Sequence, residues 1–305
     1  MGYFMNYAMI DIGSNTVKMT VYAENKTRLN KYTHPTALVS YIENGTLSEI
    51  GINRLIATLA QYQKIAANES DTRLFAYATA SLRGLSNVNE VTDAVKNTLG
   101  IVIDVVSGEE EAKLSFDGIA AVSGFDPEGN TVFDLGGGSL EVATLQDGKL
   151  SAHSYRAGAL LMHLQFVKNI LPTGEELSAI YSHVQSLAKN DTLPKNYGKA
   201  LAVGGSLRAF CAVHAHLKGE HYTEELPYTV TRDEAIAFLE RVASYDKGVK
   251  TALIDLVPTR IHTVASGLSA FLALLDLTGQ TAFTVVSGGT REGYLMKITT
   301  KETKL

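Results

Sequence analysis

Cysteine is almost absent from the sequence, which has only Cys211 among its 305 residues. One cysteine cannot form an intramolecular disulfide, nor can it build a zinc site that needs several thiolates. A chain without disulfides fits a reducing compartment, so we predict a cytoplasmic protein. The chain also lacks any run of about 18 or more apolar residues, and its start, MGYFMNYAMIDIG, has no basic stretch before a long apolar one. We therefore predict no signal peptide, no membrane span and no membrane partner.

Excess positive charge and flexible linkers are missing as well. The formal net charge is -5 and the pI is near 5.9, so the chain has no general attraction for polyanions, and we predict no nucleic-acid partner. Any polyanionic substrate would need a local basic patch. The 45% hydrophobic content is enough for one large or two medium cores, and for 305 residues we predict two domains. With no Pro-rich segment, the domain boundary is predicted in a short turn, best matched by SGFDPEGN at 123–130.

Short apolar runs rich in β-branched residues alternate with segments of helical period, which predicts an α/β fold with partly parallel sheets. Ser48 is placed to cap a long helix whose apolar residues recur every three or four positions. Residues 88–99 repeat this pattern, and Gly100 is placed to end the helix before a strand. Thr231 and Glu234 have the spacing of a capping box.

An internal repeat is the most informative feature. MIDIGSNTVKMTVY at 9–22 aligns without a gap on VFDLGGGSLEVATL at 132–145, and each predicts a strand, a tight turn and a second strand. A glycine-rich turn lets backbone N–H groups cradle phosphate oxygens. Asp11 and Asp134 end the entering strands, where a carboxylate is placed to hold a cation, usually through water.

Two more apolar runs end in glycine, at 200–210 and 283–295, and each leads into a predicted helix. Helix N-termini at glycine-rich turns bind anions through free N–H groups and the helix dipole. A single Gly-Gly turn is most often only a turn, but four in one chain, two of them a matched pair, indicate phosphate binding. The predicted phosphate-binding residues are Gly13, Ser14, Asn15, Gly136, Gly137, Gly138, Ser139, Gly204, Gly205, Ser206, Gly288 and Gly289.

Five segments together resemble the exopolyphosphatase / guanosine pentaphosphate phosphohydrolase family of the actin-like superfamily. They are DIGSN (11–15), YATASLR (77–83), SGEEEA (107–112), DLGGGSLE (134–141) and SGGTREG (287–293). The resemblance implies two actin-like (ribonuclease H-like) α/β domains with mixed sheets flanked by helices and an active-site cleft between them. We place the first domain at 1–124 and the second at 125–296, with residues 297–305 as candidates for a return to the first.

The resemblance also implies roles for five residues. Glu111 matches the glutamate that positions or deprotonates the attacking water, and Arg83 matches a phosphate-binding arginine. Asp11, Asp134 and Glu141 are predicted to hold Mg²⁺ or Mn²⁺. From the residues alone other roles stay open. Glu111 could lie in a solvated helix N-terminus, and Arg83 could hold a loop by hydrogen bonds to backbone carbonyls. The two aspartates could accept hydrogen bonds from turn amides.

The function implied is release of terminal phosphate from inorganic polyphosphate by Mg²⁺-assisted attack of water. Guanosine pentaphosphate 5′-phosphohydrolase is an alternative, and a kinase of the same superfamily or a non-catalytic phosphate sensor are rivals. The sensor is motivated by departures from the family pattern at 32–45 and at His262, where relatives often carry an acidic residue. Thr290 is a further departure, since leucine or alanine-leucine is usual there. Lys18 takes the place of Glu141 in the repeat, so the two turns are not equivalent. A symmetric homodimer is the base-rate expectation.

Overall fold

The structure is a computed structural model that describes residues 5–69 and 71–302. Cα packing divides the chain into two compact units, Met1–Glu111 with Lys297–Leu305, and Ala112–Met296. The division falls inside helix α4 (Gly108–Val122), whereas the boundary predicted near residue 124 follows the end of that helix. Within the segment predicted to return to the first domain, residues 303–305 lie outside the described residues.

The first unit contains a five-stranded sheet in the order β3-β2-β1-β6-β7. Strands β1, β2 and β3 form an antiparallel meander, whereas β6 and β7 run parallel to β1. A short hairpin, β4 with β5, lies outside this sheet. The strands are β1 (Asn6–Ile12), β2 (Thr16–Tyr22), β3 (Arg28–Pro35), β4 (Ile42–Glu43), β5 (Thr46–Leu47), β6 (Thr72–Ala78) and β7 (Ile103–Val105).

Helices α1 and α3 pack on this sheet through the apolar faces that the sequence predicts. The side chain of Ser48 accepts from the amide of Gly51 and caps α1, and Gly100 ends α3 in the left-handed conformation, so both predictions are confirmed. The predicted strand at 101–106 is shorter, because only three of its residues pair with β6. The helices are α1 (Glu49–Asn68), α2 (Ala80–Arg83), α3 (Val88–Leu99) and α4 (Gly108–Val122), with a 3₁₀ turn at Leu38–Tyr41.

The second unit contains a six-stranded sheet in the order β10-β9-β8-β11-β13-β12. It again starts with an antiparallel meander, followed by two parallel strands, and an antiparallel strand is added at the far edge. The strands are β8 (Thr131–Leu135), β9 (Leu140–Gln146), β10 (Lys149–Tyr155), β11 (Ala200–Val203), β12 (Tyr228–Thr231) and β13 (Ala282–Val285). The shared order of meander and parallel strands means that the sequence repeat is a structural repeat.

One face of the second sheet carries the larger core, in which α10 is almost entirely buried, and α4 packs on the other face. Thr231 and Glu234 form both halves of the predicted capping box at the start of α8. Cys211 is fully buried in α7. The helices are α5 (Ala159–Phe166), α6 (Gly174–Ala188), α7 (Gly205–Lys218), α8 (Arg232–Ala243), α9 (Lys247–Leu256), α10 (Val264–Leu277) and α11 (Thr290–Glu302), with a 3₁₀ turn at Pro258–Arg260.

Within residues 5–69 and 71–302, none of the helices combines the length and the apolar character that crossing a membrane requires.

Candidate active site

The first glycine-rich turn joins β1 to β2 in the first unit. The amide of Gly13 donates to the carbonyl of Thr16 at 3.1 Å and closes the turn. A Cβ on Gly13 would lie 2.8 Å from that carbonyl oxygen, so a larger residue would displace the backbone. Ser14 is buried and Asn15 is half-buried. The three residues predicted here therefore form one tight turn, the geometry that the phosphate-loop hypothesis requires.

A segment that follows β3 braces this turn. The amides of Ala37 and Val39 donate to the carbonyls of Asn15 and Ser14, at 2.8 and 3.2 Å. Ala37 adopts the left-handed conformation with a φ of 47°, which is unfavourable for alanine. The segment at 32–45, where the sequence departs from the family, thus supports the first turn through its own backbone.

Arg54 of α1 holds the bracing segment in turn. Its Nε donates to the carbonyl of Thr36 at 3.1 Å, and its Nη2 donates to the carbonyl of Pro35 at 3.3 Å. The guanidinium also lies 5.7 Å from the ring centroid of Tyr41, within the range of a cation–π interaction. Sequence reasoning missed Arg54, because its partners are backbone carbonyls that any residue could supply.

The second glycine-rich turn, Gly136–Ser139, has the same closure as the first. The amide of its first residue donates to the carbonyl of its last at 3.0 Å. The amides of Ala159 and Leu160, at the start of α5, donate to the carbonyls of Gly136 and Gly137 at 2.9 and 3.0 Å. The start of a helix therefore holds this turn, where a loop segment holds the first.

Asp134 and Glu141 are register partners across β8 and β9. Their side chains share one face of the sheet, because directly opposed residues in an antiparallel pair point the same way. Glu141 is only 1% exposed, and its Oε1 accepts a 2.6 Å hydrogen bond from the hydroxyl of Ser154. The structure thus brings two of the three predicted metal ligands together beside the second turn.

Two hydroxyls converge on the carboxylate of Asp134. Its Oδ2 accepts from Ser115 Oγ of α4 at 2.5 Å and from Thr290 Oγ1 of α11 at 2.9 Å. The two hydroxyl oxygens are themselves 2.9 Å apart. Neither residue was predicted as a site residue, although Thr290 stands out in the sequence as a departure from the family pattern.

Asp11, the third predicted metal ligand, has a different neighbour. Its register partner across β1 and β2 is Lys18, and Lys18 Nζ lies 4.0 Å from Asp11 Oδ2. Where the second hairpin opposes two carboxylates, the first opposes a carboxylate and an ammonium group. The ammonium group of Lys18 therefore supplies a positive charge beside Asp11.

Glu111 and Arg83, the predicted catalytic pair, form an ion pair in the first unit. Arg83 Nη1 lies 2.7 Å from Glu111 Oε2, and Glu111 is 5% exposed. Glu111 is therefore not the solvated helix terminus that the sequence left open. Its neighbour Glu110 instead binds Lys297, at 2.5 Å.

The third and fourth glycine-rich turns lie at the N-termini of α7 and α11, as predicted. Their glycines also permit close backbone packing. A Cβ on Gly204, whose φ is 134°, would overlap the carbonyl of Leu135, and a Cβ on Gly288 would overlap the carbonyl of Gly118. Close packing is thus a structural reason for glycine at both positions, in addition to the predicted phosphate binding.

Arg260 is a cation near the third turn that sequence reasoning missed. A Cβ on Gly205 would lie 2.5 Å from Arg260 Nη2, so the guanidinium packs directly on the start of α7. Burial lowers the pKa of Arg260, and the nearby Arg208 lowers it further. No local sequence signal could find this contact, because the two residues meet only in the folded chain.

His262 lies against a second histidine, His163. Their ring centroids are 5.4 Å apart in an edge-to-face arrangement, and His163 Nδ1 lies 3.3 Å from the hydroxyl of Ser266. Burial, with a contribution from His262, lowers the pKa of His163 to about 4. Burial also lowers the pKa of His262, as does Arg260. Both imidazoles are therefore neutral at pH 7.

The model of the Ppx/GppA phosphatase family matches residues 15–302, nearly the whole chain. The chain belongs to the Ppx/GppA phosphatase family. Curated relatives include Exopolyphosphatase 1 of Mycobacterium tuberculosis and Exopolyphosphatase 1 of Mycobacterium bovis, each 29% identical over 150 residues. The aligned part covers 46% of this chain and 42% of each relative, so the match spans less than half of either protein.

Solved structures show the fold of this Ppx/GppA chain over nearly its full length. The Ppx/GppA family member from Aquifex aeolicus has a TM-score of 0.78 and 24% identity, covering 98% of this chain and 99% of that one. An exopolyphosphatase from Cytophaga hutchinsonii has a TM-score of 0.82 and 17% identity, covering 97% and 98%. The predicted actin-like α/β fold, with two helix-flanked mixed sheets, is confirmed.

Proposed function

We propose that the chain is a hydrolase that releases terminal phosphate from inorganic polyphosphate. The observation that carries this proposal is the pair of opposed carboxylates, Asp134 and Glu141, beside the tight turn at Gly136–Ser139. Two carboxylates on one face suit a hard divalent cation, and a glycine-rich turn suits phosphate oxygens. Membership of a phosphatase family supports the same reaction class, as do the names of the mycobacterial relatives.

The residues present fit Mg²⁺ or Mn²⁺. Within the part of the chain that the structure describes, no group of three or more His, Cys, Asp or Glu side chains is placed to hold a metal ion. Mg²⁺ commonly binds through one or two carboxylates together with water and substrate phosphates, so Asp134 and Glu141 are a sufficient protein contribution. When bound there, the cation would neutralise phosphate charge. Asp11, with Lys18 as its neighbour, is the weaker candidate ligand.

Glu111 is proposed to orient the attacking water and accept its proton. The water oxygen forms a bond to the terminal phosphorus, the phosphoanhydride bond breaks, and its electron pair leaves with the shortened polyphosphate. Arg83 holds the Glu111 carboxylate in place through Nη1, and a guanidinium has further donors with which to bind phosphate oxygens. The reaction needs no covalent intermediate.

Polyphosphate is proposed as a better substrate than guanosine pentaphosphate, because all four glycine-rich turns are predicted to bind phosphate groups. The net charge of -5 gives little attraction for a long polyanion beyond the site, so affinity should level off at modest chain length. Cytoplasmic location and a homodimer also remain proposals. The cytoplasmic location is supported by the single buried cysteine. The homodimer is supported only by the frequency of symmetric dimers among soluble oligomers.

The test of this function is phosphate release from polyphosphate and from guanosine pentaphosphate at fixed Mg²⁺ and ionic strength. Glu111→Gln is expected to lower kcat by about 10² or more and to leave KM within a few-fold, because it removes a general base but not a binding group. Glu109→Gln is the matched control, since Glu109 is exposed two residues earlier in the same helix. Wild-type protein that binds these substrates but releases no phosphate would point to the sensor.

A further inference from the structure

One carboxylate oxygen of Asp134 and two hydroxyl oxygens form a compact cluster within the second unit. Ser115 Oγ, Thr290 Oγ1 and Asp134 Oδ2 are separated by 2.5 to 2.9 Å in all three pairings. An ionised carboxylate can only accept hydrogen bonds, and each hydroxyl has one proton to donate. The two hydroxyl groups thus supply two protons for the three oxygen–oxygen contacts. Each proton is best donated to the carboxylate oxygen, because an ionised oxygen is the strongest acceptor in the cluster. Both hydroxyls therefore serve the same carboxylate oxygen.

Close backbone packing brings the two hydroxyls to this point. A Cβ on Gly118 of α4 would overlap the carbonyl of Gly289, and a Cβ on Gly293 of α11 would overlap the carbonyl of Leu114. Helices α4 and α11 therefore approach backbone to backbone on both sides of the cluster. Because the two helices cannot separate without losing this packing, the positions of both hydroxyls are set by the fold.

A carboxylate held by donors from two different elements cannot turn freely about its side-chain bonds. Asp134 sits at the end of β8 with Ser115 on one helix and Thr290 on another. Orienting contacts of this kind raise metal affinity, because the ligand loses less freedom when the ion binds. Removing such a contact typically weakens a metal site by about 10- to 100-fold.

We propose that Ser115 and Thr290 are positioning residues that hold Asp134 in the orientation from which it binds the divalent cation. The inference deepens the proposed function, because it assigns the cation to Asp134. Neither hydroxyl acts on the substrate. Their effect is expected on metal affinity more than on the rate at saturating metal.

The experiment titrates the full chain with Mn²⁺ in the absence of substrate and follows free Mn²⁺ by electron paramagnetic resonance. Thr290→Val keeps the side-chain shape and removes the hydroxyl, and it is expected to weaken Mn²⁺ binding by about tenfold. Thr290→Ser restores a hydroxyl and should stay within about twofold of wild type. Ser115→Ala should resemble Thr290→Val, and the double variant should lose less than the product of the two, because both act on one oxygen.

A matched control is Thr229→Val in the same unit. The Thr229 hydroxyl bonds only another threonine hydroxyl, that of Thr284, at 2.9 Å, among the bonds described for it. Mn²⁺ affinity should be unchanged in this variant. Thermal unfolding of each variant separates loss of stability from loss of metal, and Ser115→Ala serves as the test if Thr290→Val does not fold.

The outcomes distinguish this inference from the proposed function. Equal Mn²⁺ affinity in wild type and Thr290→Val overturns the positioning role, as does a wild type that binds no Mn²⁺. Wild type that binds Mn²⁺ more tightly than Thr290→Val but releases no phosphate from polyphosphate supports the positioning role and rejects the hydrolase. A raised Mg²⁺ requirement for phosphate release in Thr290→Val, with an unchanged rate at saturation, supports both.

Discussion

The two repeated hairpins have the same backbone and opposite charge at one position. In each, an aspartate at the end of the first strand opposes a residue of the second strand in register, Lys18 facing Asp11 and Glu141 facing Asp134. The first pair is neutral overall, whereas the second carries two negative charges that favour a cation from solution. A duplicated frame can thus hold two different sites, and one side chain decides which.

The hairpins also differ in what holds their turns. The first turn is held by a loop segment, and Arg54 hydrogen-bonds the backbone of that segment. The second turn is held by the first backbone amides of α5. A helix start is the more rigid brace, because its amides are fixed by the helix itself. We therefore expect the first turn to be more sensitive to changes outside the hairpin.

The largest effect is expected when the second hairpin is given the charge pattern of the first. In Glu141→Lys the new ammonium group would pair with Asp134 and compete with the cation. We expect phosphate release to fall by about 10² or more, measured with polyphosphate over a range of Mg²⁺ concentrations. Lys18→Met, at the aligned position of the first hairpin, should change the rate by less than about tenfold.

Circular dichroism should show that Glu141→Lys is folded, and Glu141→Gln provides a variant without a buried ammonium group. The comparison between the hairpins would break if Glu141→Lys kept activity within about tenfold of wild type, or if Lys18→Met proved the more damaging change.

A smaller effect is expected from loosening the brace of the first turn. Arg54→Ala removes two hydrogen bonds to the backbone next to Ala37, so the turn at Gly13 should bind phosphate less well. We expect KM for polyphosphate to rise about three- to tenfold while kcat changes less than twofold. Arg73→Ala is the matched control, because Arg73 lies over the ring of Phe75 in the same unit. Equal KM values in the two variants would reject the bracing role.

The last expected effect concerns acid stability, where the second unit carries the histidine pair. The folded protein holds His163 with a pKa of about 4, below its ordinary value, so the unfolded chain binds more protons as pH falls through about 6.5. Stability is therefore lost between about pH 6.5 and 4, and the cost is roughly 1 to 2 kcal/mol at pH 5.

His163→Gln should flatten this dependence. Hydrogen exchange at pH 7 and pH 5 should show loss of protection in the second unit of wild type and a smaller loss in the variant. His34→Gln in the first unit is the control. An identical pH dependence in wild type and His163→Gln would show that other groups cause the loss.

Local signals explain which features were predictable from the sequence. The caps at Ser48 and Thr231 and the repeated hairpins depend on residues a few positions apart, so pattern alone located them. The separate roles of Arg83 and Glu111 were predicted from resemblance, but their ion pair was not predicted, because the two are 28 residues apart and no spacing rule joins them. The burial of Glu111 explains why its solvated alternative fails.

The unpredicted parts of the site depend on contacts between distant positions. Thr290 reaches Asp134 across 156 residues, and Ser115 reaches it across 19. A serine or threonine is a common surface or helix residue, and nothing in its neighbours indicates a carboxylate partner. Arg260 on Gly205 is of the same kind, since only tertiary packing brings them together.

The buried Cys211 gives the chain a reporter group that needs no engineering. Burial raises the pKa of its thiol well above the ordinary value, so the folded protein presents almost no reactive thiolate to an alkylating reagent. Labelling at this position must wait until α7 is released from the core of the second unit. The chain has no second cysteine, so each molecule can gain the mass of only one reagent molecule. The rate of that mass increase therefore measures how often the core around Cys211 opens, and no substitution is needed to observe it.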